Sequence, residues 1–192
     1  MEFKINSKAQ VNSPFELLVA VTIMTFVIII GSQMIAATND QVCLAEVEKE
    51  LTEFKLNIEN VSSNSGSSIK FDFRPNQKNC FNENNAIIKI VKYTDSKRCG
   101  AVCDKAVNSC FVLIFSASDL ANGFKSKCLN LPIFTSFVKD GTNCPTNDAA
   151  LAGYKPTNPS VGDLGLRSGS YILRNVAPAA KTYPFICTYR RS

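Results

Sequence analysis

The residues of this 192-residue chain best equipped for chemistry are its eight cysteines: Cys43, Cys80, Cys99, Cys103, Cys110, Cys128, Cys144 and Cys187. Thiols can serve as nucleophiles, metal ligands or staples, and the remaining composition narrows that choice. The chain has no histidine, so neither a Ser–His or Cys–His pairing nor an imidazole ligand can be assembled. No pair of C-x-x-C knuckles occurs, which argues against a zinc site made of four cysteines. An even set of cysteines in a chain directed out of the cytoplasm reads as disulfides, each contributing about 2–4 kcal/mol. Spacing alone leaves the connectivity open. Cys99, Cys103 and Cys110 crowd together and favour a local bridge, and a bond from Cys43 to the later cysteines would clamp its helix to them.

Other catalytic constellations are missing. The carboxylates beyond residue 63 (Asp72, Glu83, Asp95, Asp104, Asp119, Asp140, Asp148, Asp163) are dispersed, with no paired acid/base motif. Gly165-Leu166-Arg167-Ser168-Gly169 has the wrong order for a nucleophile elbow, and no phosphate-binding glycine loop occurs. Most aromatics are Phe within apolar runs, the pattern of a core rather than of a base-stacking platform. The chain is therefore read as a non-enzyme with no cofactor, no metal and no nucleic-acid partner.

The element that positions everything else is a helix predicted over residues 13–61. Ser13-Pro14-Phe15-Glu16 is a start signal, with a capping serine, a proline whose missing N–H is harmless and a carboxylate that reaches back. Leu17–Thr38 contains no charged residue. At about 1.5 Å per residue it reaches roughly 33 Å, enough to cross a hydrocarbon core. Lys4 and Lys8 precede it and Asp40, Glu46, Glu48 and Glu50 follow, which places residues 1–12 in the cytoplasm and the C-terminal part outside. Beyond it Leu44, Val47, Leu51, Phe54, Ile58 and Val61 form a heptad seam. That seam must be covered by the chain's own head or by another copy. Neither Gly nor Pro interrupts residues 33–61.

Residues 62–68 (SSNSGSS) have the composition of a flexible joint. Asn60-Val61-Ser62 is a glycan acceptor tripeptide. From 69 onward the apolar period becomes two. Six strands are predicted at 69–73, 86–93, 110–116, 131–138, 171–174 and 185–189, as a mostly antiparallel sheet laid on the helix. The segment 139–169 is rich in Gly, Pro, Asn and Asp and too long for an ordinary connection. Charge is uneven: residues 1–63 carry 4 Lys/Arg against 8 Asp/Glu, whereas residues 64–192 carry 17 against 8. A basic head of net +9 suits an anionic surface glycan or the acidic helix of another copy.

The short basic leader, Ala9-Gln10, a Ser and a Glu ahead of an apolar helix resemble archaeal type IV pilin-like proteins with a class III signal sequence. The resemblance covers about the first 50 residues. It implies that a prepilin peptidase cuts between Ala9 and Gln10. It also implies that the helices, with Glu16 near their start, associate as a filament core. The expected architecture is α+β, a long helix on a disulfide-stapled β head (69–192). The expected roles are a filament subunit or minor pilin, an uncleaved membrane-anchored binding module, or a pseudopilin-type secretion component.

Overall fold

The computed structural model describes residues 13–104, 107–120, 122–137, 144–158, 166–177 and 183–192. In chain order the elements are α1 (Ser13–Ser63), β1 (Ser68–Phe73), β2 (Ala86–Tyr93), α2 (Ser96–Cys103), β3 (Cys110–Ala117), β4 (Phe124–Leu129) and β5 (Ser136–Phe137). A 3-10 turn (Ala149–Leu151), β6 (Tyr154–Thr157), β7 (Gly169–Asn175) and β8 (Phe185–Arg191) complete them. The fold is α+β. It divides into two compact units, Met1–Val42 and Cys43–Ser192.

Within the second unit, α1 from Cys43 lies on two sheets. One is the antiparallel meander β2-β3-β4. The other has β1-β7-β8 antiparallel, with β6 antiparallel and β5 parallel on the far side of β8. Strand alternation sends Phe71 and Phe73, Ile88 and Ile90, Phe111, Leu113 and Phe115, and Tyr171 and Leu173 inward. These join Val47, Leu51, Phe54, Ile58 and Val61 in one core. Each of those five helix residues has no exposed surface. Phe54 sits between Phe71 and Phe73, at ring distances of 5.1 and 5.4 Å.

Two smaller clusters cover the outer faces of the sheets. In the first, α2 covers Val112 through Cys99 and Cys103. Asp95 starts α2 by accepting from the Lys97 N–H, and Asp104 ends it in a left-handed conformation at φ 51°. In the second, Leu151 and Cys144 cover Ile172, Cys187 and Tyr189.

Four disulfides use all eight cysteines: Cys43–Cys80, Cys99–Cys110, Cys103–Cys128 and Cys144–Cys187. Cys43–Cys80 ties α1 to the segment after β1. The middle two fasten α2 to β3 and β4, and the last fastens the long connection to β8.

The structure departs from the predicted strands in several places. Among the described residues eight strands form two sheets, where six in one sheet were expected. Of the strand predicted at 131–138, β5 covers only two residues. There Pro132 lacks a donor, and its carbonyl accepts from the Thr135 N–H at 2.9 Å to close a turn. The strand β4 escaped prediction because Lys125 and Lys127 occupy the face that a period-two reading assigns to apolar residues. Their ammonium groups reach Glu48 at 3.6 and 2.6 Å.

Residues 62–68, expected as a flexible joint, form a hydrogen-bonded corner. The Ser67 hydroxyl donates to the Val61 and Asn64 carbonyls, and the Gly66 N–H, at φ +77°, donates to the Asn175 carbonyl. The described parts of the long connection also have structure, namely the 3-10 turn and β6.

Candidate functional site

Two stretches of α1 are candidates for assembly, and they present different chemistry. From Pro14 to Val42 nearly every side chain is exposed, including Leu17, Met24, Ile28 and Met34 at 66–69%. An 18-residue window here has mean hydropathy 2.3 with none of it buried. By length and composition α1 can therefore cross a membrane. Its hydroxyls fit an apolar surrounding. The hydroxyls of Thr22, Thr25 and Thr38 each donate to the carbonyl four residues back, and that of Ser32 to the one three back, all at 2.8 Å. None of these four hydroxyls needs water, which is what hydrocarbon demands. Glu16, exposed in the first turn of α1, carries the charge at its edge. The leader with Ala9 and Gln10 lies outside the described residues, as does the side chain of Ser13.

The heptad seam has the opposite fate. Val47, Leu51, Phe54, Ile58 and Val61 are consumed by this chain's own sheets, with Leu44 packed at their edge. They are thus not free to meet another copy. The acidic flank of the helix is used internally too. Glu48 accepts from Lys127 at 2.6 Å, and mainly this hydrogen bond and the Lys127 charge hold its carboxyl below the usual range. Glu50, 8% exposed, accepts the Arg74 N–H at 2.8 Å, and Glu59 accepts the Asn130 N–H at 2.6 Å. The charge imbalance seen in the sequence is therefore partly neutralised across the helix–sheet contact.

Several basic groups of the head are likewise engaged. Arg174 reaches Asp148 at 2.5 Å, Arg190 donates to the Ser168 carbonyl, and Lys92 donates to the Ile133 carbonyl at 2.8 Å. The Ala150 N–H and then Arg174 lower the Asp148 carboxyl. Burial raises the phenols of Tyr171 and Tyr189. Asn60 is exposed on α1, although its tripeptide partner Ser62 is buried and donates to the Glu59 carbonyl.

Sequence reasoning missed Asn175. Only 2% exposed, it donates through Nδ2 to the carbonyls of Val61, Ser62 and Asn64, and through Oδ1 accepts from Ala177 and Phe185. It closes the C-terminal end of α1 from a strand more than a hundred residues later. Nothing in the local pattern around an asparagine at a strand end could have announced that role. No protein-family model, curated protein or solved structure matches the chain.

Proposed function

We propose that this protein is a pilin-like surface protein, a structural subunit or minor pilin of an archaeal type IV-like filament. In this reading the N-terminus is cytoplasmic, the apolar half of α1 first sits in the membrane lipid, and the head is extracellular. A prepilin peptidase releases the leader between Ala9 and Gln10, and the helices of several copies then associate. The head presents its net positive charge to an anionic surface glycan, and Asn60 carries a glycan. The observation that carries the proposal is the contrast along α1. The seam of the helix is already buried by its own sheets, whereas the charge-free stretch ahead of it is exposed and its four hydroxyls bond to its own backbone.

Glu16 at the edge of that stretch is costly in lipid without a partner. An N-terminal amine of a neighbouring copy can supply one. Mass measurement of the mature N-terminus and electron microscopy of sheared surface material test the reading together. Loss of residues 1–9 and presence of the chain in filaments are expected. An intact Met1 in a chain found only in the membrane would overturn it. Glu16→Gln is expected to impair filament assembly while leaving membrane insertion intact, and equal filament yield would return Glu16 to helix capping.

The spacing of the leader favours a second reading. In the resembled family the glutamate stands fifth after the cut, whereas Glu16 is seventh after Gln10 becomes the first residue. An uncleaved, single-pass anchor bearing a binding head accounts for that spacing, and a pseudopilin-type secretion component is the third reading. Both keep the leader's charge asymmetry and the apolar helix. Of the two, only the anchor predicts an intact Met1.

A further inference from the structure

The turn from Pro132 to Thr135 lies at the end of the head where α1 finishes. β4 runs alongside α1 from Lys127, which meets Glu48, to Asn130, whose N–H donates to Glu59. Pro132 then lines one cleft with Ser62 and Ser63. At about 1.5 Å per residue, the end of α1 at Ser63 stands roughly 30 Å from Cys43, where the helix enters the head. Two adjacent large apolar side chains of this turn face solvent. Ile133 is 56% exposed and Phe134 73%, and the second value exceeds that of every other large apolar residue described, the membrane-crossing stretch included. One exposed apolar side chain is ordinary, but a neighbouring aromatic and branched pair calls for a partner. Val107 lines one cleft with Ile133 and widens the apolar surface.

The backbone of the turn is suited to leaving water. Pro132 has no N–H to satisfy, and its carbonyl accepts from the Thr135 N–H at 2.9 Å. The Ile133 carbonyl accepts from the Lys92 ammonium at 2.8 Å. That bond fixes a cation beside the apolar pair, the place where a charge meets headgroups when the pair is in hydrocarbon. β2 and β4 both run antiparallel to β3, so β2 finishes at this same end of the head. Lys97 and Arg98, exposed at the start of α2 just beyond it, add positive charge there. Two acidic groups of this end are already engaged: Asp95 accepts from the Lys97 N–H and Glu59 from the Asn130 N–H.

We propose that the turn Pro132–Thr135 is a membrane-insertion tip, at which Ile133 and Phe134 enter an anionic lipid bilayer other than the one that holds α1. That the bilayer is a second one rests on the proposed membrane position of α1, whereas the tip itself does not. Burial of the two side chains supplies affinity, and each cation close to an anionic surface adds to it. A bilayer suits this turn because insertion needs no matching groove. It needs exposed apolar side chains, a backbone whose polar groups are occupied and a basic surround. The head then joins the chain's own membrane to a second one.

The chain has no tryptophan, so Phe134→Trp places a single reporter at the tip. The full-length variant is embedded in phosphatidylcholine nanodiscs and mixed with vesicles of phosphatidylglycerol and phosphatidylcholine, with and without brominated acyl chains. A blue shift of the emission, quenching by the brominated chains and co-flotation of nanodiscs with vesicles are expected. The double variant Ile133→Ser, Phe134→Ser should keep the near-ultraviolet tyrosine signal of the folded head, and its co-flotation should fall at least about tenfold. Uncharged phosphatidylcholine vesicles should bind more weakly than anionic ones. Unshifted emission, co-flotation unchanged in the serine variant, or equal binding to uncharged vesicles overturns the proposal. A blue shift that grows with protein concentration before vesicles are added assigns the tip to a second copy and overturns it too. Exclusion of the chain from nanodiscs refutes the membrane position of α1 instead, and the free chain is then mixed with the same vesicles directly.

Discussion

Replacing Asn175 by leucine keeps a side chain of similar size at a 2%-exposed position and removes all its polar atoms. The carbonyls of Val61 and Asn64 keep the Ser67 hydroxyl, at 2.9 and 2.7 Å, so the helix end is not wholly orphaned. The Ala177 and Phe185 N–H groups lose the acceptor that each reaches at 3.2 Å. Two unsatisfied N–H groups cost about 1–3 kcal/mol each, so Asn175→Leu should lose about 2–6 kcal/mol. At roughly 3 °C per kcal/mol for a chain of this size, the melting point should fall by about 6–18 °C.

Asn175→Asp separates the two halves of this role. It keeps the acceptor for Ala177 and Phe185 but turns a second oxygen toward three carbonyls. Ionisation is resisted in that setting, so the folded-state pKa of the new carboxyl lies above its unfolded value of about 3.9. The unfolded chain then releases its proton first. Stability relative to wild type is least affected below about pH 4 and falls as pH rises through the raised value. Thermal melts followed by the near-ultraviolet tyrosine signal, in which buried Tyr171 and Tyr189 report on the head, give both quantities. A loss under about 1 kcal/mol for the leucine variant would refute the reasoning. So would an aspartate variant whose deficit does not grow with pH.

Three further outcomes are expected. Phe54→Ala empties the space between Phe71 and Phe73 and should cost about 3–5 kcal/mol, read from urea denaturation. Replacing Cys43 and Cys80 by serine opens a crosslink spanning 37 residues and should cost about 4 kcal/mol in the chain-entropy account; non-reducing peptide mapping of the wild type should recover the two joined. Glu48→Gln should cost below about 1 kcal/mol at pH 7, because the carboxylate is 44% exposed and its ion pairs are screened. The Glu48 carboxyl is held low by Lys127, so its contribution is present above the unfolded pKa and lost as pH falls through the folded one. The difference between variant and wild type should therefore close in acid and shrink in high salt.

Much of the fold was legible because it is written in local periodicity. The charge-free run from Leu17 to Thr38 and the seam from Leu44 to Val61 announce one long helix with two environments. The strands β1, β2, β3, β7 and β8 announce themselves through alternation or β-branched runs. Elements whose stability comes from elsewhere in the chain were not legible. Lys125 and Lys127 make β4 look like surface until Glu48 is placed opposite them. The strand β6 and the 3-10 turn before it lie in a polar segment held by Cys144–Cys187 and by Arg174 on Asp148.

The sequence by itself determined that this chain has an apolar helix able to span a membrane, followed by a cysteine-rich β head. Helix and strand periods and the length of an uncharged run are properties of neighbours in the chain. Only the tertiary structure decided what covers the seam, which cysteines meet and how Asn175 closes α1. Each of these depends on which distant residues are brought within a few ångströms, and short-range hydrogen bonding and packing act only after the chain has made that choice.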